Sequence, residues 1–447
     1  MTRKATTFAA AAAVLALAVS GCSGVGSPAA PGGTGTGGDT TGGAGASGTI
    51  TLAGWSLAST PEFQKLADTF NATNPDYEIE VREYDATNYD TQMIADLAAG
   101  TAPDIYVQKN LKNFFTYSDG DQLMDVSDVA GELSSDVLGV SAYEVDGATY
   151  AIPYRQDGWV LFYNKDLFAQ AGVAEPDGSW TWDDYAAAAR ELTTNLQAAG
   201  SEATGTYQHN WQSVIQGFAL AQTPGADLLS GDYSYLQPYY ERAVALQDDG
   251  AQPTYGTVTT NKLTYQAQFG TQKAAMLPMG SWYVATLIAQ QASGDANEFE
   301  WGIAPIPQFD ASTAGTGNTP VTFGDPTGLG INPAIDPAKV ESAKAFLKLA
   351  ASEDAATVLA GIGITPAYAS DAVTEAYFAV DGAPSDDLSK FAFGTREIHP
   401  ENPVSPHTAA IQNVLNEIHS GIMSESTAVD AGVTQAGERV QAEVLNR

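Results

Sequence analysis

The chain has 447 residues and a formal charge of −34, set by 19 Lys and Arg against 53 Asp and Glu. So acidic a chain lacks the basic face that nucleic-acid binding needs, and anionic lipid headgroups repel it. A single cysteine excludes an internal disulfide and a cysteine-based metal site, and His209, His399, His407 and His419 show no HExxH-type spacing.

Arg3 and Lys4 precede an apolar run from Phe8 to Val19, and the small residues Ser20 and Gly21 stand just before Cys22. A charged start, a short apolar core and a small-residue exit predict a secretory signal peptide over residues 1–21. The run is too short to span a bilayer as a helix. Leu17-Ala18-Val19-Ser20-Gly21-Cys22 resembles a bacterial lipobox, which implies that Cys22 is lipidated and becomes the first residue of the mature protein. Loss of Arg3 and Lys4 would take the charge to −36. Residues 22–48 then read as the lipidated cysteine and a flexible Gly/Ser/Thr linker, too poor in apolar side chains to fold. As a random coil, residues 23–48 reach about 28 Å. The expected location is the extracellular face of the cell membrane, with the lipid as the sole membrane contact.

The remaining chain, about 400 residues, is long enough for two or three domains. Thr49–Ala53 predicts a short strand. Thr60 is a candidate N-cap, with Pro61 at the first helical position. Phe63, Leu66, Ala67 and Phe70 recur at helical spacing, and Asn74-Pro75 ends that helix. Tyr77, Ile79 and Val81 alternate with polar residues, which predicts a strand with one buried face. A helix from about Tyr89 to Ala99, with Met93 and Leu97 inward, leads to a strand over Asp104–Val107. This alternation predicts a parallel sheet, whose ligands sit beyond the C-terminal strand ends. Trp55, Ser56, Tyr84, Asp85, Gln108 and Asn110 are the residues placed there.

Further on, Gly147–Tyr154 leads into Val160–Phe168, and Thr181 caps a helix opened by Trp182, Asp183 and Asp184. With Ala274-Ala275-Met276, Met279-Gly280-Ser281-Trp282, Trp301–Pro307 and Gly328-Leu329-Gly330-Ile331, these blocks resemble the family 1 extracellular solute-binding proteins of ABC importers, the maltose-binding-protein-like group. The resemblance covers residues 49–447. It implies an α/β, two-lobed clamshell of the periplasmic-binding-protein type, each lobe a discontinuous α/β domain, with an additional helical C-terminal part. The N-terminal lobe is expected over 49–154 plus about 306–350, and the C-terminal lobe over about 155–305 plus 351–447. Crossings are expected near 153–157, 305–309 and 350–366.

On the family pattern, Trp282 and Trp211 are expected to stack on sugar faces, as does Trp55 beyond the first strand; core packing is the other reading of each. Trp159, Trp180, Trp182 and Trp301 are expected in the core. Asp157 matches an acidic residue that holds sugar hydroxyls, with Arg155 and Gln156 beside it; a hinge salt bridge from Arg155 to an acid is the other reading. Gln108 and Asn110 align with polar cleft residues. Asp325 is read either as a cleft residue or as a turn cap. Arg396 and His407 are weaker candidates.

The expected function is capture of a mono- or oligosaccharide between the lobes by hinge closure, and its delivery to the ABC permease. The alternative is the same scaffold with a polyol, a glycerophosphodiester or a cationic solute. A secreted glycosidase using Asp157 and Asp325 is a remote alternative, because the resembled family is non-catalytic and no nucleophile–base motif is present. No cofactor is expected, and the protein is expected to be a monomer.

Overall fold

A computed structural model describes residues 48–74 and 76–446. The expected signal peptide, Cys22 and all of the linker except Gly48 lie outside the described residues.

The first sheet runs in the order Tyr77–Tyr84, Gly48–Trp55, Ile105–Gln108, Pro326–Ile331, Ile152–Gln156. Gly48–Trp55 pairs in parallel with Tyr77–Tyr84 along its whole length, from Gly48 opposite Tyr77 to Trp55 opposite Tyr84. Pro326–Ile331 lies between Ile105–Gln108 and the edge strand Ile152–Gln156, antiparallel to both. The helix Glu62–Asn71 covers this sheet because Phe63, Leu66, Ala67 and Phe70 form one buried stripe. Thr60 does not cap it. The amide of Thr60 donates to Ser56 O in a turn, and the helix begins at Glu62 behind Pro61 with no side-chain cap. The helix Tyr89–Ala99 buries Met93, leaves Leu97 half-buried and ends at Gly100, whose φ of 69° suits a residue without Cβ.

The second sheet has the order Trp301–Pro305, Trp159–Asn164, Ala274–Gly280, Thr204–Thr206. Trp159–Asn164 is antiparallel to both neighbours, and every residue in it is buried. Thr181 opens the helix Trp182–Ala198 with a reciprocal capping box: its side chain accepts from the Asp184 amide, and Asp184 accepts from the Thr181 amide at 2.8 Å.

Each sheet has its own core. Ile50, Phe63, Phe70, Ile105, Tyr154, Leu329 and Phe346 belong to the first; Trp159, Phe162, Trp182, Phe218, Tyr240, Trp301 and Phe323 belong to the second. Burial of each such side chain contributes about 1.5–3 kcal/mol. The C-terminal helices Thr408–Met423 and Val429–Val440 pack on the second core through Ile411, Leu415, Ile418, Val433 and Ala436. The chain is therefore a two-lobed α/β protein with an added C-terminal helical part.

The chain leaves the first sheet after Gln156 and enters the second at Trp159. It returns between Phe323 and Pro326, further along the chain than 305–309, because Val321–Phe323 first pairs in parallel with Glu397–His399. A third crossing follows Ala367, further along than 350–366, because Leu359, Ile364 and Ala367 still pack in the first core and Val373 is the next residue in the second. It begins beside the first crossing, where Gln156 N donates to Thr365 O at 3.1 Å and Ala367 N donates to Tyr154 O at 3.0 Å. The crossing strands run in close contact at Gly324, where a Cβ would stand 2.3 Å from Asp157 O.

Candidate functional site

A buried polar chain lies where these crossings meet. Arg155 donates through Nη1 to Glu62 Oε2, and through Nε to Asp157 Oδ2 at 2.5 Å. Ser281 Oγ donates to Asp157 Oδ1 at 2.6 Å, and Thr365 Oγ1 donates to Ser281 Oγ at 3.0 Å. Glu62, Arg155, Asp157, Ser281 and Thr365 are all buried. Burial raises the Glu62 carboxyl above its usual range; Arg155 opposes that shift and Asp157 adds to it. Burial works against the charge on Arg155, yet Asp157 and Glu62 hold its pKa above the ordinary arginine value. Asp157 is thus in a salt bridge with Arg155, beside the crossings. Each Asp157 oxygen accepts one of these bonds, and a carboxylate oxygen has room for a second donor.

Each lobe carries an aromatic cluster. On the first lobe Trp55 meets Phe63 and Tyr89 edge-on at 4.8 and 4.9 Å, with the Lys109 ammonium 5.4 Å from its ring. Burial lowers the Lys109 pKa, against the pull of Asp90 and Asp85, and the Arg155 charge adds to the lowering. On the second lobe burial pushes the Tyr265 hydroxyl up to about 12, against a hydrogen bond with Trp282 and the charge of Arg155. Tyr265 lies 5.7 Å from Trp211 and 5.5 Å from His209, and His209 is 4.5 Å from Trp211. Burial lowers the His209 pKa to about 4, so the ring is neutral at neutral pH. Trp211 is 40% exposed, an unusual state for so large an apolar ring. Trp282 is half-buried, with its ring edge-on to Trp159.

Of the other expected site residues, Ser56, Asp85 and Asn110 are engaged locally. Ser56 has φ 54°, and its carbonyl accepts from the Ser59 and Thr60 amides. Asp85 Oδ1 closes a turn by accepting from Thr87 N and Asn88 N at 3.0 and 2.9 Å. Asn110 Oδ1 accepts from Lys112 N at 3.0 Å. Asp325 ties three loops together. It accepts from Leu111 N at 3.1 Å, Glu401 N at 2.9 Å, Asn402 N at 3.2 Å and Asn402 Nδ2 at 2.6 Å. Burial raises its pKa, while those bonds oppose the rise. Gln108 is 1% exposed, and its Oε1 and Nε2 have no hydrogen-bond partner among the described residues.

Of the weaker candidates, Arg396 lies over Gly158, where a Cβ would stand 3.0 Å from its Nε. That Nε is buried and has no partner among the described residues. His407 is exposed, at the start of the helix Thr408–Met423. Trp159, Trp182 and Trp301 are buried in the second core, and Trp180 packs against it, as expected.

Sequence reasoning missed Glu62, Thr365, Tyr265 and Lys109. Glu62 shows locally only as a first-turn acid, and its partner Arg155 is 93 residues away. Among the described residues no group of three or more His, Cys, Asp or Glu is placed to hold a metal ion, and no helix is long and apolar enough to cross a membrane.

Two α/β lobes joined by adjacent crossings, with a buried polar network where the crossings meet, form the scaffold of a solute-binding protein. The family model described as bacterial extracellular solute-binding protein matches residues 54–357, and the chain belongs to this family. The protein is accordingly an extracellular solute-binding protein of the kind that serves ABC importers. A sugar transporter from Rhizobium etli, solved in an open conformation, is similar at 30% identity with a TM-score of 0.73, covering 88% of this chain and 99% of the other. An ABC substrate-binding protein from Listeria monocytogenes in complex with cycloalternan is 19% identical with a TM-score of 0.72, covering 88% and 98%. A solute-binding protein from Agrobacterium vitis with bound D-mannitol is 18% identical with a TM-score of 0.67, covering 89% and 99%. At such identities the likeness of these last two is one of fold. The sn-glycerol-3-phosphate-binding periplasmic protein of Escherichia coli (strain K12) is 34% identical over 167 residues, 35% of this chain. The chain thus aligns with only 36% of the length of that curated relative.

Proposed function

We propose that the protein captures a mono- or oligosaccharide between its lobes and, by hinge closure, presents it to an ABC permease. In this reading each lobe is one sheet with its core. Lipid on Cys22 holds the protein at the extracellular face of the membrane, with the 22–48 linker as a tether. The observation that carries the reading is Trp211, 40% exposed within a cluster of His209 and Tyr265. A pyranose face is a patch of C–H groups that an exposed indole covers well. Asp157 and Gln108 supply directional acceptors and donors for hydroxyls, and Trp55, Trp282 and Arg155 complete the site. Ser56, Asp85, Asn110 and Asp325 shape its loops. The 30% identity with the Rhizobium etli sugar transporter supports the same class of solute.

A second reading is a phosphate-bearing polyol such as a glycerophosphodiester. In a chain of charge −34, Lys109, Arg155 and Arg396 nonetheless gather at the crossings. Phosphate favours such groups. The relative that binds sn-glycerol-3-phosphate points the same way.

A thermal-shift screen of the purified protein against mono-, di- and oligosaccharides, polyols and glycerophosphodiesters tests both. A ligand that binds only the folded state raises the melting temperature with the logarithm of its concentration. A shift with one saccharide class is the expected outcome. Silence across the saccharides with a shift from a glycerophosphodiester replaces the first reading with the second. In cells, Cys22→Ser is expected to move the protein from the membrane fraction to the medium, and an unchanged membrane fraction would remove the lipid tether.

A further inference from the structure

Arg155 and Asp157 lie two residues apart on the first crossing, and each is anchored to a different lobe. Arg155 is held by Glu62 on the first-lobe helix Glu62–Asn71, whose other carboxylate oxygen accepts from Tyr154 Oη at 3.4 Å. Asp157 is held by Ser281, at the end of the second-lobe strand Ala274–Gly280. Ser281 is fixed there in turn: its amide donates to Gly158 O at 3.0 Å, and its hydroxyl accepts from Thr365, just before the third crossing. The bond that joins these two anchored halves is Arg155 Nε to Asp157 Oδ2, at 2.5 Å.

Lobe rotation about residues 156–158 changes the backbone torsions between Arg155 and Asp157. With each side chain fixed to its own lobe, rotation cannot proceed without stretching that one bond. The pair is buried, so water does not replace the lost contact readily. A free Arg155 side chain would follow the crossing strand; Glu62 denies it that freedom, and Ser281 does the same for Asp157.

We propose that Glu62 and Ser281 are positioning residues that turn the Arg155–Asp157 pair into a hinge brake, which holds the lobe arrangement described here. A ligand group that engages Arg155 or Asp157 then alters how firmly the brake holds, so that binding and lobe rotation are coupled through one bond. The proposal rests on the reading of the protein as a hinged receptor, and not on which solute it carries.

The test uses the purified protein without ligand. Hydrogen exchange is followed in peptides covering 154–160 and 364–368, and the radius of gyration is measured by small-angle scattering, for Glu62→Gln, Ser281→Ala and the double variant. Each single variant is expected to speed exchange across the crossings by about tenfold and to shift the radius of gyration. The double variant is expected to go no further than the larger single effect, because both act through the same bond. Additive effects, or a lower melting temperature with exchange at the crossings and radius unchanged, would overturn the proposal and leave a purely structural network. Should Ser281→Ala fail to fold, Thr365→Val completes the same cycle with Glu62→Gln. Both readouts need no solute, so a failed saccharide screen would remove the carbohydrate reading alone.

Discussion

Trp282 meets Trp159 edge to face, their ring centroids 5.4 Å apart and their planes at 84°. The contact depends on Gly280, where a Cβ would stand 1.9 Å from the Trp282 ring. A candidate ligand residue is therefore packed directly on a core residue, and its two roles are separable by measurement. Trp282→Ala is expected to weaken saccharide binding by about 1–3 kcal/mol and also to lower the melting temperature. Calorimetry and thermal unfolding on the same sample check both. Unchanged affinity with the fold intact would take Trp282 out of the site.

Trp211 makes the complementary case. Its ring is 40% exposed and touches His209 and Tyr265 rather than the interior. Trp211→Ala is expected to reduce saccharide affinity on the same scale as Trp282→Ala, about 1–3 kcal/mol, with stability unchanged within about 0.5 kcal/mol. A large loss of stability with intact affinity would assign Trp211 to packing instead.

Much of the local structure was legible in the chain. The stripe Phe63, Leu66, Ala67, Phe70 marks its helix because a helix brings those spacings to one face. Thr181 with Asp184 marks its helix start because the capping box is a contact between residues three apart. The site was legible only in part. Asp325 is engaged by Asn402, 77 residues away, and Arg155 by Glu62, 93 residues away. No local pattern encodes such a pairing, because the fold alone sets which distant polar groups meet. The return crossing is a similar case: it waits until Phe323, because Val321–Phe323 finds its partner in Glu397–His399.

Asp157→Asn keeps the shape at the junction and removes one of the two charges that balance Arg155. Arg155 and Asp157 are 8% and 7% exposed, so solvent does little to compensate. Removing one partner of a buried pair destabilises by about 3–5 kcal/mol. The urea midpoint is expected to fall by a corresponding amount at constant m-value, the mark of lost stability without a changed unfolding transition. A midpoint within error of the parent would mean that Asp157 is not paired in solution.

Glu401 gives the protein a pH dependence. Its carboxyl is pushed up to about 7, first by burial and then by Asp325, while Ser213 and Lys112 act in the opposite direction. A folded-state pKa above the unfolded value of 4.5 means that the native state holds the proton more tightly. The stabilisation is therefore complete below about pH 4.5 and is lost as pH rises through about 7. His209 and His419, both lowered to about 4 by burial, run the other way and add stability between about pH 4 and 6.5. Above pH 6.5 the two histidines no longer contribute to the change, and comparison with Glu401→Gln isolates the Glu401 effect from the other shifted groups. The parent is expected to lose stability relative to Glu401→Gln between pH 6.5 and 8 in denaturant titrations. Parallel curves for the two proteins over that range would show that Glu401 titrates near its ordinary value.

Gly324 tests how closely the crossings must run. A Cβ there would stand 2.3 Å from Asp157 O and 3.5 Å from Gly158 Cα, both backbone atoms that no side-chain rotation can clear. Gly324→Ala must push the second crossing away from the first, and overpacking of this kind destabilises by about 1–3 kcal/mol. The displaced atoms belong to Asp157 and Gly158, the segment that carries the salt bridge and its Ser281 anchor. The variant is therefore expected to change ligand affinity as well as the melting temperature. Gly317→Ala is the control, because a Cβ at 317 meets nothing within 4 Å. It is expected to leave both quantities near the parent values. Equal behaviour of the two variants would mean that the crossings separate freely, and that their close contact at Asp157 contributes nothing to binding.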